Sequence, residues 1–475
     1  EVDNRIDWQS TGVSLKAAFP LAAANPEASY SLNTAVVERG NNDSLKFEVP
    51  SREWFDLTDR SGRFGVSVLE DCRYGSDKPD DNTLRLTLMY TPEANVPRFT
   101  YQATQDFGIH DVKYALYGHE GGWDNGTPWQ AKFLNQPLLT FATERHDGDR
   151  GRRIALAVPS TGQIDIMAFK KMEEGSYYIV RVNELFGKAC DGATIEFPSA
   201  VAEAFEVDGQ ERRIGKATVR NGKLTFDIGK FGIRSFAVRF ADTSAPAKPV
   251  QEQLLLAYDA DILSDDAVRS DGRMGRSEQT LPAEMLPDTI TSEGIDFAIR
   301  GREKGADNAV ECRGQQITLP AGDYDRIYLL AAAEEEAAGR FEVDGAEQWL
   351  DIAKWKGFVG QHYAQTIVPD STAYKTLAVD NPYLRKDPIA WFASHCHAPK
   401  RNIAYQYCYL YKYGLDIVPG AKTLTLPDNP CIKIVAVTVA KEGVRTVPLT
   451  PLYDDFDDYP VFRWRNRPKF DLSHR

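Results

Sequence analysis

His395 and His397 flank Cys396 and are the one histidine pair in the chain at metal-ligand spacing. On a strand, residues two apart project to the same face, so both imidazoles could reach one ion. The same pair equally suits strand-end histidines that bond to backbone and to neighbouring aromatics. The nearby sequence suggests no third or fourth ligand. Standard catalytic constellations are missing: there is no GxSxG elbow, P-loop, GxGxxG, HExxH or His-x-Asp. Paired carboxylates would suit glycosidic cleavage, but 69 acidic residues leave the choice open.

Two aromatic features could stack on the apolar faces of sugars. One is the Gly-rich loop from Gly121 to Trp129, which carries the indoles of Trp123 and Trp129. The other is a run of alternating tyrosines, Tyr405, Tyr407, Tyr409, Tyr411 and Tyr413. Each has a structural alternative. A tyrosine stripe also suits the core face of a strand, with hydroxyls bonded at its rim.

The elements that must position these residues are strands. Leu84, Leu86 and Leu88 alternate with polar neighbours, as do Ile154, Leu156 and Val158, and Leu224, Phe226 and Ile228. Asn221-Gly222 marks a hairpin turn. Short alternating runs at this spacing predict an all-β fold of two antiparallel β-sandwich regions, a large one and then a smaller one, with an extended C-terminal tail. The Pro-containing connector Ala241–Pro249 and the charged loop Ser264–Gln279 place the division near 262. We therefore expect domains over 1–262 and 263–444. Gln253–Tyr258 reads as a last strand of the first region, and Arg326–Ala331 and Ile432–Val439 as clear strands of the second. The tail over 445–475, rich in aromatics such as Tyr453, Phe456 and Trp464, is expected to pack in extended form along the domain surfaces.

At 475 residues the chain can bury several cores. A net charge of −13 with no block of like charges argues against a nucleic-acid partner, which would need a basic face. No apolar run approaches the length of a membrane span. The six cysteines form no CxxC pair and no zinc-finger spacing, and are expected to be buried free thiols. They do not report the compartment.

Several segments of the first 260 residues carry a resemblance. Asp7-Trp8 precedes Ser14-Leu15-Lys16-Ala17-Ala18-Phe19-Pro20. Val37-Glu38-Arg39 is followed by Lys46-Phe47-Glu48-Val49-Pro50 and Glu53-Trp54-Phe55-Asp56-Leu57. Next come Gly65–Gly75, then Gly108-Ile109-His110, Tyr114–Leu116, Gly118-His119 and Arg181–Glu184, with Leu255–Asp259 closing the series. In order and spacing these resemble the C-terminal β region of glycoside hydrolase family 38, the retaining α-mannosidases. Gly118 stands where that family usually has proline. The second β region resembles accessory β-sandwiches appended to bacterial carbohydrate enzymes.

The resemblance implies a parent enzyme that cleaves terminal α-mannosyl linkages. Its zinc ligands and aspartate nucleophile would lie in an N-terminal domain whose His-x-Asp signature this chain does not contain. The chain alone is then expected to be inactive and to hold no cofactor, with zinc confined to the missing domain. Its partners would be that domain and α-mannosides or other glycans, in a periplasmic or secreted location. Glu38, Asp71 and Glu184 stand out only through the resemblance. Asp71, Arg73 and Tyr74, on a tight Gly turn, are the expected contribution to the active-site rim. Arg73 could meet a sugar hydroxyl, or could pair with Asp71 or a neighbouring carboxylate and merely close the turn. Two other classes remain open: a stand-alone carbohydrate-binding module using Trp123 and Trp129, and a self-sufficient glycosidase with a carboxylate pair between the sandwiches.

Overall fold

A computed structural model describes residues 1–10, 12–91, 108–146, 151–242, 248–361, 364–369, 374–380, 383–442, 444 and 446–453. Among the described residues nearly all regular structure is β, with one short helix, Thr127–Asn135, and one 3-10 turn, Ala283–Met285. The strands assemble into three sandwiches, so the large first region expected from the sequence consists of two.

In the first sandwich a six-stranded sheet runs in the order Val2–Trp8, Gly108–Glu120, Phe64–Glu70, Trp54–Thr58, Glu27–Leu32, Ala35–Gly40. It faces a four-stranded sheet ordered Val13–Pro20, Thr83–Thr91, Gly75–Asp80, Val49–Pro50. Leu84, Leu86 and Leu88 point into the core between them, beside Trp8, Tyr30, Phe55 and Val68, as their period-two spacing requires.

The second sandwich pairs a four-stranded sheet, centred on Cys190–Glu196 and Lys223–Ile228, with a five-stranded sheet centred on Tyr178–Glu184 and Ile233–Phe240. Leu224, Phe226 and Ile228 fill its core with Ile164, Val180 and Phe236. Asn221 and Gly222 both take positive φ, 50° and 74°, and join Arg220 to its direct partner Lys223. This is the two-residue turn expected of Asn-Gly, whose twist matches the strands it joins.

The third sandwich contains the largest core. Its six-stranded sheet is built around Ile432–Lys441, Arg326–Ala333 and Arg401–Asp416, and its second sheet around Ala337–Val343 and Ala346–Ile352. Both strands anticipated here formed, each extended by two residues. The strand expected over 253–258 forms instead at Val250–Gln253, and it pairs with Ile432–Lys441 of this last sheet. Leu254 and Leu256 then pack against the third core rather than closing the first region.

The run Ile154-Leu156-Val158 departs from expectation. Only Val158–Pro159 is a strand, and Ile154, Leu156 and Val158 are 53%, 63% and 48% exposed. Alternation marks a face that wants covering, but a strand also needs a neighbour to accept its backbone hydrogen bonds. The tail begins in extended form, with Thr446–Pro448 pairing with Phe141–Thr143. Its later aromatics, including Phe456 and Trp464, lie outside the described residues, as does the middle of the connector, 243–247.

Candidate functional site

The expected rim residues sit where the chain crosses from one sheet of the first sandwich to the other. Phe64–Glu70 ends in the six-stranded sheet, and Gly75–Asp80 begins in the four-stranded one. Cys72 adopts φ 58° to make the crossing, and its thiol donates to Asp71 Oδ1 at 3.1 Å. Gly75 allows a close approach, because a β-carbon there would lie 2.2 Å from Glu48 Oε1. Tyr74 is 47% exposed with the Arg52 guanidinium 5.5 Å from its ring centre, and its carbonyl accepts from the Ser51 amide at 2.9 Å.

Arg73 donates from Nη1 to the Cys72 carbonyl at 3.1 Å, and its Nη2 rests 4.0 Å from the Met89 sulfur. Its Nε is buried with no hydrogen-bond partner. Among the described residues no carboxylate pairs with Arg73, so the ion pair weighed in the sequence is not what closes this turn.

Glu70, immediately before the turn, was missed by sequence reasoning. It shares a strand face with the core residue Val68, is fully buried, and neither carboxyl oxygen has a hydrogen-bond partner. Burial pushes its carboxyl up to about 8; the Ser51 hydroxyl, near but not placed for a regular hydrogen bond, opposes this in part, and the Glu53 charge adds to it. The signal was available in the period-two spacing from Val68 to Glu70, which places an acid on an apolar face.

Glu53 itself takes φ 67° and borders a cavity of about 250 Å³ between the first two sandwiches, together with Trp54, Lys132, Asp165 and Phe231. Burial raises the Glu53 carboxyl, with the Lys132 charge opposing and the Asp165 charge adding to the shift. Lys132 Nζ is 3.0 Å from Asp165 Oδ2. A carboxyl raised by burial thus lines the same cavity as a carboxylate that is ion-paired to a lysine.

The loop bearing the two tryptophans is partly helical. Gly126 at φ 106° and Pro128 in the first turn start the helix, so Trp129 lies on Thr127–Asn135 and not in a turn. Trp129 donates its indole N–H to the Gly162 carbonyl at 2.7 Å, tying the helix to the second sandwich. Trp123 is half-buried against Trp54, ring centres 5.1 Å apart. Glu184 is buried and organises a loop, accepting from the amides of Phe186, Lys188 and Phe231 and from the Gln163 side chain. Glu38 accepts from Ser29 Oγ at 2.8 Å.

The tyrosine stripe splits along its strand. Tyr405 is 82% exposed, whereas Tyr409, Tyr411 and Tyr413 are buried in the third core. Their hydroxyls meet the backbone at Gly357, Lys354 and Ala353, the arrangement described for a core stripe.

His395 and His397 lie on Ile389–Ala398 with both side chains on one face, and the turn Ala283–Met285 brings Glu284 to them. Glu284 Oε1 is 3.1 Å from His397 Nε2 and 3.5 Å from His395 Nε2. The third ligand that the local sequence did not suggest comes from more than a hundred residues away. Among the described residues this is the one such group that could hold a metal ion.

Comparison with known proteins separates the sandwiches in the same order. Residues 1–98 match the glycosyl hydrolases family 38 C-terminal domain, and residues 163–236 match the family 38 C-terminal beta sandwich domain. The chain carries the C-terminal domains of glycosyl hydrolase family 38. Residues 250–443 match the AziU2-like beta-sandwich domain, which identifies the accessory sandwich. Human Alpha-mannosidase 2C1 is 26% identical over 239 residues, covering 48% of this chain and 22% of that protein. An Alpha-mannosidase from Saccharomyces cerevisiae is 33% identical over 126 residues, 26% of this chain and 11% of its own length. A solved alpha-mannosidase from Enterococcus faecalis V583 covers 50% of this chain and 27% of its own, at 19% identity and TM-score 0.40. The chain thus spans about a fifth of the human relative, and the family 38 models it matches are both C-terminal ones. No described helix is long and apolar enough to cross a membrane.

Proposed function

We propose that this chain is the supporting C-terminal part of an α-mannosidase, with the chemistry performed by a zinc-binding catalytic domain that the chain does not include. The reading rests on the two family 38 C-terminal matches falling in order on the first two sandwiches. An apolar surface on the same half supports it. Phe133, Leu138, Leu139 and Phe141 are 65%, 90%, 57% and 51% exposed, and the uncovered Ile154 and Leu156 belong to the same stretch of chain. Isolated surface leucines need no explanation, but a run of this kind suits a face that another domain covers.

In the assembled enzyme, the turn Asp71-Cys72-Arg73-Tyr74 would border the sugar. Arg73 would supply donors from a guanidinium not engaged by a carboxylate, and Tyr74 a hydroxyl on a half-exposed ring. Zinc in the parent would bind sugar hydroxyls while a carboxylate carries the glycosyl group. In this reading the part of the family 38 half is to brace the catalytic domain and border its site.

The test is hydrolysis of an aryl α-mannoside by the purified chain, with and without zinc, and then with the catalytic domain supplied as a separate polypeptide. No turnover by the chain alone and turnover on mixing is the expected result. Turnover by the chain alone would sink the proposal and direct attention to Glu53 and Asp165 in the cavity between the sandwiches.

A further inference from the structure

Three lone-pair donors converge at one edge of the AziU2-like sandwich. One ring nitrogen each of His395 and His397 and a Glu284 carboxyl oxygen all lie within 4.8 Å of one another. Zinc bonds to imidazole nitrogen and carboxylate oxygen run about 2.0–2.2 Å, so two ligand atoms in a tetrahedral shell sit roughly 3.3–3.6 Å apart. Of the observed separations from Glu284 Oε1, 3.5 Å falls within that spacing and 3.1 Å just short of it. From these we infer that Glu284, His395 and His397 form a binding site for a divalent transition-metal ion of the zinc type.

The surroundings are built to hold the ligands. Thr280 and His397 exchange two backbone hydrogen bonds, of 3.2 and 3.1 Å, which fasten the segment leading to Glu284 against the histidine strand. Trp391 Nε1 donates to the Met285 carbonyl at 3.2 Å and fixes the other end of the 3-10 turn. His397 is fully buried, and its Nδ1 meets Ser264 Oγ at 2.9 Å, with Ser264 in turn bonded to Thr280. With Nδ1–H donated to the serine, Nε2 presents a bare lone pair to the carboxylate. Such an outer hydrogen bond is what orients a metal-binding imidazole and sets its tautomer.

Two observations favour a cation between these ligands. His395 Nε2 is buried and makes no hydrogen bond, although Glu284 Oε1 is only 3.5 Å away. Asp266 Oδ1 adds negative charge 3.6 Å from His397 Nε2. That oxygen already accepts from Asn402 and Arg269, and the Asn402 bond helps keep its carboxyl below the usual range. Asp266 therefore acts as a charged neighbour and not as a ligand. Two histidines and one glutamate leave one tetrahedral position for water or another oxygen donor. Soft thiolate-preferring ions are disfavoured, because Cys396 lies between the histidines and its side chain takes the opposite strand face.

The experiment uses the whole purified chain, stripped with chelator and dialysed against zinc alone. The expected result is one zinc retained per chain and a zinc-dependent rise in Tm. Glu284→Gln and His395→Gln should each weaken zinc about a hundredfold or more while leaving the metal-free Tm near that of the parent, and Ser264→Ala should weaken it by about ten- to hundredfold. Cobalt in place of zinc should give the visible absorption of a four-coordinate site, a readout that needs no variant. Substoichiometric zinc in the parent, or equal zinc in the parent and both ligand variants, would overturn the assignment and leave a hydrogen-bonded His–Glu contact.

Discussion

His119 and Asp56 form a buried pair, with Nε2 2.7 Å from Oδ1 and neither side chain reaching solvent. They sit on two strands of the six-stranded sheet that flank Phe64–Glu70, and Ser67 from that middle strand donates to the same Asp56 oxygen at 2.8 Å. Gly65 is obligatory there, since a β-carbon would fall 2.6 Å from the His119 ring. The Gly118-His119 element that carried part of the family resemblance is thus a packing device on the face of the six-stranded sheet that the helix Thr127–Asn135 covers.

Burial alone would lower the His119 pKa, but the hydrogen bond and charge of Asp56 prevail and raise it. A histidine raised in the folded state stabilises most below its unfolded value of about 6.5 and loses that contribution as pH rises through the folded value. Urea unfolding should therefore show stability falling above about pH 6.5, and Asp56→Ala should remove the His119 share of this slope and leave the part due to Glu70. The same variant should cost about 3–5 kcal/mol near neutral pH, because it leaves one member of a buried pair alone. An unchanged slope would assign the pH dependence elsewhere.

Glu70 makes a separable contribution. Its folded value of about 8 exceeds the unfolded carboxyl value of about 4.3, so stability is complete below pH 4.3 and declines until pH 8. Glu70→Leu should stabilise the chain on the order of 1–3 kcal/mol at pH 8 and much less at pH 4.5. Equal effects at both pH values would show that the carboxyl is not charged and strained at pH 8.

Leu138→Asp and Leu156→Asp test the covered face. Both side chains are more than half exposed, so each variant should move the stability of the chain by no more than about 0.5 kcal/mol. Each should nevertheless weaken association with the catalytic domain, measured by the concentration needed to restore aryl mannosidase activity. Full restoration by both variants would remove this surface from the proposal.

Arg73→Ala tests the rim. In the reconstituted enzyme it should lower kcat/KM by about ten- to hundredfold, the range expected for losing a charge-assisted hydrogen bond to substrate. A loss seen only as lower Tm would mean that the guanidinium serves the turn, through its contacts with Cys72 and Met89.

Periodicity read strands well wherever both faces had obvious partners. Leu224, Phe226 and Ile228, with Asn221-Gly222 before them, carry a complete local description: a buried face and a turn that admits one geometry. Ile154, Leu156 and Val158 carry the same alternation, yet the segment is mostly not a strand, because pairing depends on a neighbour that one strand's own residues do not name. Val250–Gln253 went to a different sheet for the same reason: its partner, Ile432–Lys441, is nearly two hundred residues away.

The candidate sites divide along the same line. The crossing at Asp71–Gly75 was legible, since a glycine-bounded turn is a local property. Glu284 was not, because nothing near residue 284 signals that its carboxylate will meet His395 and His397 across the sandwich. The tryptophans were visible as aromatics, but not as the pins that they are, one on Trp54 and one on the Gly162 carbonyl.

The pairing of Phe141–Thr143 with Thr446–Pro448, reinforced by a 2.7 Å contact between the hydroxyls of Thr140 and Thr450, spans 310 residues of sequence. The second and third sandwiches are therefore enclosed within a loop that this small ribbon closes. On a ribosome adding roughly 5–20 residues per second, Phe141 waits about 15–60 seconds for the strand that completes it. During that interval the apolar stretch around Leu138 and Phe141 is available to whatever has already folded. Synthesis order thus gives any domain made earlier the first opportunity to cover it.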